Sequence, residues 1–134
     1  MELTNGELFV VENGLRTAVD ELRKSEYKSL VLNTIVARNL KNVAEVCQGF
    51  RQEINEFMPK DLKELNEKKE EELSNEDKEK RAELMKEYNK EINKFLEVKT
   101  KFDFFNVNVP LESLSKIELS YDASNILQLI LLGE

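Results

Sequence analysis

The clearest pattern in the chain is a run of apolar residues, Val36, Leu40, Val43, Cys47, Phe50, Ile54 and Phe57, spaced 4-3-4-3-4-3. That spacing puts seven side chains on one stripe only if the backbone is α-helical. The helix it predicts starts near Leu30 and runs to Met58. Pro59 ends it, because proline cannot donate the next helical hydrogen bond. From Val36 to Phe57 the seam is about 32 Å long at about 1.5 Å per residue. A second stripe follows at Leu84, Tyr88, Ile92 and Phe95, then Val98 or Lys99. Ser74 before Glu76 and Asp77 reads as the cap of the helix that carries it. Two helices of matched length joined by a polar connection predict an antiparallel hairpin over residues 30–99, with Leu62, Leu65 and Leu73 near its tip.

The flanks alternate differently. Leu8-Phe9-Val10-Val11 lies between Asn5-Gly6 and Asn13-Gly14, which predicts a short strand at 7–11. Leu15, Ala18, Val19 and Leu22 then predict a helix of about two turns ending near Ser25. After Thr100 the period becomes two: Phe102, Phe104, Val107 and Val109 read as an extended run that Pro110 stops. Leu111, Leu114, Ile117 and Leu119 form an apolar connector, with Ile117-Glu118-Leu119 a candidate second strand. Ser120 caps a last helix from about Tyr121 to Leu132. Terminal strands pairing into a small sheet at the base of the hairpin complete the expectation. The fold class is mostly α with a small β element (α+β), as one domain over 1–134: strand and short helix at 1–29, hairpin at 30–99, strands and apolar helix at 100–134.

Composition sharpens this by exclusion. The 134 residues hold 27 acids and 20 bases, a net charge of −7, with no His, no Trp and one Cys. Without His there is no Ser-His-Asp or Cys-His pair and no imidazole metal ligand. One Cys makes neither an internal disulfide nor a zinc-thiolate site. Four Gly and two Pro leave no glycine-rich phosphate loop. Between Lys60 and Glu91, 21 of 32 residues are charged and only seven apolar, so this stretch reads as a solvated helical surface laced with opposite-charge pairs. The start has no basic and apolar leader pattern, and Ile126 to Leu132 is too short to span a bilayer, which needs about 20 residues. A soluble protein of a reducing cytoplasm is the expectation.

Few side chains suggest chemistry. Glu53 with Glu56, or Glu83, Glu87 and Glu91, lie one turn apart, as carboxylates do that hold Mg²⁺ in all-helical nucleotide hydrolases. The simpler reading is a solvated face, because Lys86, Lys90 and Lys94 interleave. Cys47 reads as core packing. Arg38, Lys41 and Arg51 form a basic group without the aromatic interleaving of single-strand binders, so direct nucleic-acid binding is not expected. Glu70, Glu71 and Glu72 are the densest acidic cluster, one that can present a DNA-like surface to a basic enzyme. The last helix is apolar on most sides, so Ile126, Ile130, Leu131 and Leu132 either dock in the chain's own core or meet a partner. No catalytic, cofactor-binding or metal-binding residue is assigned.

The opening Leu3-Thr-Asn5-Gly6-Glu-Leu8-Phe9 resembles the start of an uncharacterised family of short proteins encoded by tailed bacteriophages. Ala37-Arg38-Asn39-Leu40-Lys41 and the ending Leu111-x-x-Leu114-x-x-Ile117-x-Leu119-Ser120 are similar too. The order of segments matches over nearly the whole chain, carried by some 25 positions; the Lys- and Glu-rich tip departs from the pattern. The resemblance implies a phage origin and brings no catalytic residues. The expectation is therefore a non-enzymatic phage accessory protein that binds another protein during virion or tail assembly. The alternative is an acidic inhibitor of a host defence or nucleic-acid enzyme. The partner is a phage structural protein or a host protein, or a second copy through the heptad seam. The place of action is the bacterial host cytoplasm or the virion.

Overall fold

The computed structural model describes residues 1–26, 28–105 and 119–131. It is mostly helical with a two-stranded antiparallel sheet. The order is β1 (Glu2–Thr4), α1 (Asn5–Lys24), α2 (Leu30–Phe57), α3 (Lys60–Glu67), a 3₁₀ turn at Glu70–Glu72, α4 (Asn75–Leu96), β2 (Lys99–Lys101) and α5 (Tyr121–Leu131).

The N-terminal strand lies earlier than 7–11, and those residues are helix. The cause is a capping box: Thr4 Oγ1 accepts from the Glu7 N–H at 3.0 Å, and the Glu7 carboxylate accepts from the Thr4 N–H at 3.0 Å. Helix propagates from there without a break, so the expected two-turn helix is the second half of a 20-residue one. Asn13-Gly14 is mid-helix rather than a turn. Along α1 the buried positions Leu8, Val11, Leu15, Ala18, Val19 and Leu22 form one continuous apolar stripe.

This stripe is the centre of the molecule. The main core joins α1 to Leu32, Val36, Val43 and Cys47 of α2 and to Ala123, Ile126 and Leu127 of α5. At Gly14 the helices meet so closely that a Cβ there would lie 2.2 Å from Ile126 Cγ1. Glycine is needed for its missing side chain, not for its backbone freedom. Ser120 caps α5 as expected: its hydroxyl accepts from the Ala123 N–H at 3.3 Å, and its own N–H donates to Glu21 of α1 at 3.0 Å.

The sheet pairs Glu2 with Lys101, Leu3 with Thr100 and Thr4 with Lys99. The helix on the expected 30–99 segment thus ends at Leu96, and its strand precedes Phe102 rather than starting there. Residues 102–105 are described but outside the sheet; the rest of the expected run to Val109, with Leu111, Leu114 and most of Ile117-Glu118-Leu119, lies outside the described residues. Asn5 joins the start of α1 to the α4–β2 junction. Its N–H donates to the Val98 carbonyl at 2.9 Å, its Nδ2 to the Phe95 carbonyl at 3.0 Å, and its Oδ1 accepts from Thr100 Oγ1 at 2.8 Å.

Candidate functional site

The α2 seam changes character along its length. Val36, Val43 and Cys47 are fully buried, Leu40, Phe50 and Ile54 partly so, and Phe57 is 58% exposed. The buried part faces α1. Beyond Phe50 the seam contacts α4, which holds a single buried residue, Tyr88. So thin a contact leaves apolar surface facing solvent, as at Phe57.

Three contacts bring the helices together, and they run in opposite chain directions. Phe50 meets Phe95 edge-on, with ring centroids 5.1 Å apart at 85°. Tyr88 donates its hydroxyl to the Ile54 carbonyl at 2.6 Å. Phe57 stacks on Tyr88 at 6.4 Å and 18°. The Ile54 carbonyl is one of the last four in α2, which have no helical donor, because the Met58 N–H goes to Asn55 instead. Tyr88 fills that vacancy, and burial pushes its hydroxyl pKa up.

Between these contacts lies a groove of ≈ 450 Å³ lined by Ile54, Phe57, Ile92 and Phe95, with Glu53, Glu56 and Glu91 at its edges. The apolar floor and acidic edges follow from helical spacing: Glu53 and Glu56 flank Ile54 and Phe57 by one residue each, and Glu91 precedes Ile92. Glu91 is ion-paired to Lys94 at 3.1 Å. Glu53 and Glu56 make no ion pair among the described residues. The same set holds no group of three or more acids or cysteines arranged to bind a metal ion. The arrangement therefore supports apolar contact with a cationic surround.

The other sequence candidates fall elsewhere. Glu70, Glu71 and Glu72 form the exposed 3₁₀ turn; Glu70 receives both Arg81 nitrogens at 3.1 Å, and that hydrogen bonding holds its carboxyl below the usual carboxylate range. Ile126 is not free for a partner, since it is buried over Gly14 in the chain's own core. The side chains of Ile130 and Leu131, and Leu132 entire, lie outside the described residues. Cys47 is buried and free of any disulfide. The basic group divides: Arg38 lies over the Phe105 ring at 4.7 Å, and Arg51 binds Glu12 and covers the Phe9 ring at 5.3 Å.

Glu12 and Asn39 escaped the sequence reading. Glu12 is 1% exposed and bridges Arg16, at 3.3 Å, and Arg51, so it ties α1 to α2 near Cys47. Its Arg51 partner is held more firmly protonated by that hydrogen bond. The signal was present: Glu12 lies four residues after Leu8 and four before Arg16, on the apolar side of a helix read as a strand. Asn39 is fully buried and clamps residue 105, its Nδ2 donating to the Phe105 carbonyl at 2.9 Å and its Oδ1 accepting the Phe105 N–H at 2.8 Å. A polar residue beside a heptad seam gives no such hint. No helix among the described residues is long and apolar enough to cross a membrane. No family model matches this chain, and the comparisons with curated proteins and with solved structures gave no match either.

Proposed function

We propose that this chain is a non-enzymatic, protein-binding accessory protein whose binding surface is the groove between the end of α2 and α4. The observation that carries this reading is Phe57, a large aromatic left 58% exposed beside Ile54, Ile92 and Phe95 on the floor of an open groove. Exposed aromatics at the centre of an apolar patch are the usual anchors of protein interfaces. The missing His and the shortage of reactive groups support a role in contact rather than catalysis. We read α2, α3, the 3₁₀ turn and α4 as an antiparallel hairpin arm that presents this groove away from the α1-centred base. The likeness of Leu3-Thr-Asn5-Gly6-Glu-Leu8-Phe9 and of Ala37–Lys41 to tailed-phage proteins favours a role in virion or tail assembly, in the host cytoplasm or on the particle, as part of the same proposal. The test is affinity purification from infected cells with the parent and Phe57→Ser chains. The parent is expected to retain a phage structural protein that the variant loses. Recovery of no structural protein, or equal recovery by both, would count against the reading.

A second reading rests on the exposed Glu71 and Glu72 at the 3₁₀ turn, which suit an acidic inhibitor of a host defence or nucleic-acid enzyme. It expects salt-sensitive binding to a basic protein that is abolished by reversing Glu70, Glu71 and Glu72 to Lys. Binding unchanged by that reversal would end it.

A further inference from the structure

We infer that the occupant of the α2–α4 groove is a basic amphipathic helix of a partner protein. The inference rests on the reading of this groove as the binding surface, and it names the chemistry that fits there. Three features converge on it.

The first is charge. The charged residues that line the groove are Glu53, Glu56 and Glu91, all acidic. Glu53 and Glu56 are exposed and make no ion pair among the described residues, so each is ready to accept a cation without breaking an existing bond. Only Glu91 is already engaged, through Lys94. An occupant with Lys or Arg beside its apolar residues would meet unpaired opposite charge along the α2 edge.

The second is backbone chemistry. The groove walls are two helices whose peptide groups are bonded internally. Of the terminal α2 carbonyls, that of Ile54 is taken by Tyr88 and that of Asn55 by Met58, which leaves only the end of the wall at Glu56 and Phe57 open. An extended segment laid there would find no continuous row of main-chain partners. A helix brings its own bonds satisfied and presents side chains alone, which is what a groove between helices can use.

The third is spacing. The floor residues come as Ile54 and Phe57 on one wall and Ile92 and Phe95 on the other, each pair three apart and so one turn apart. That repeat accepts knobs at the i, i+3 or i+4 spacing of a helix. A second copy of this chain is the poorer occupant. Two-fold pairing of the groove on itself would set Glu53, Glu56 and Glu91 against an identical acidic edge.

The experiment uses the full chain and three synthetic peptides of about 15 residues. One is a Leu/Lys helix with the leucines at i, i+3, i+4 and i+7, the second has Glu for every Lys, and the third is a scrambled Leu/Lys sequence. Binding is read by fluorescence anisotropy at low and high salt, and the site by amide chemical-shift changes. The patterned Leu/Lys peptide should bind at least 10-fold tighter than the other two and move the resonances of Ile54, Phe57, Ile92 and Phe95. A Glu53→Lys/Glu56→Lys chain should lose that preference while keeping its helical circular dichroism. Phe57→Ser should weaken all binding at the site. If the Leu/Glu peptide binds the groove as well as the Leu/Lys one, the basic occupant is wrong while the groove remains the surface. If no peptide moves the groove resonances and Phe57→Ser changes nothing in the affinity purification, both fall. Light scattering that shows a dimer lost on Phe57→Ser would replace the basic partner with a second copy.

Discussion

Cys47 sits fully buried in the α2 seam, where desolvation first and the nearby Glu12 charge second push its thiol pKa up to about 11. The thiolate is the reactive form, so native Cys47 should stay unlabelled by a disulfide reagent at pH 8 and react fully once the chain is unfolded. Stoichiometric labelling of the native protein within the mixing time would show the site to be open. Glu70 is shifted the other way. Its carboxyl is held below the ordinary glutamate value by Arg81, so the folded state binds the proton later than the unfolded chain. Its contribution is complete above the ordinary value of about 4.3 and fades as pH falls through the lowered one. Glu70→Gln should therefore lower Tm slightly at pH 7, with the difference from the parent shrinking below about pH 4. Glu70 is exposed and Arg81 half-buried, so the shift should also shrink with added salt. An unchanged difference from pH 7 to pH 3 would mean that the pair does not act through charge.

The elements turn on two approaches and one cap. At Gly14, α5 lies against α1 closely enough that Gly14→Ala forces Ile126 aside. Overpacking of this kind costs about 1–3 kcal/mol, against about 0.5–1 kcal/mol gained from replacing a mid-helix glycine. Net destabilisation is expected in urea unfolding, and Ile126→Ala in the same chain should recover part of it. Additive losses would show that the two residues do not meet. The sequence revealed the α2 and α4 helices well, because their stripes are long and Ser74 and Pro59 mark ends that the structure keeps. It misled at residues 7–11, where β-branched and aromatic residues between two Asn-Gly pairs outweighed the Thr4-x-x-Glu7 box. The local signal favoured strand; the cap and the continuing Leu8, Val11, Leu15 spacing favoured helix, and helix is what forms. The groove was legible only in halves. Glu53 with Glu56 stood out as paired carboxylates, but only the register of α4 on α2 makes them the edge of an apolar site.

Over the whole molecule, burial is uneven. The residues fully shielded on α1, α2 and α5 gather in one core, whereas Leu62, Leu65 and Leu73 are buried apart from it and α4 adds only Tyr88. Local stability follows buried apolar contact, so amide hydrogen exchange should be slowest in α1 and in α2 before Phe50, and fastest in α3 and the first half of α4. Uniform protection across the five described helices would overturn this division. A two-level stability also suits the proposed role, since a helix that takes an occupant can adjust while the base stays fixed.

The central place of α1 bears on the order in which the protein assembles. Leu3 pairs with Thr100, and Glu21 holds Ser120 from 99 positions away. Closing such long loops gains nothing until the distant segment has been made and found. On the ribosome, α1 and α2 can dock early as neighbours in sequence, but the Gly14 face of α1 stays wet until α5 emerges. Synthesis therefore leaves a bare apolar stripe for most of its duration, and the final step that shields it is the arrival of Ala123, Ile126 and Leu127.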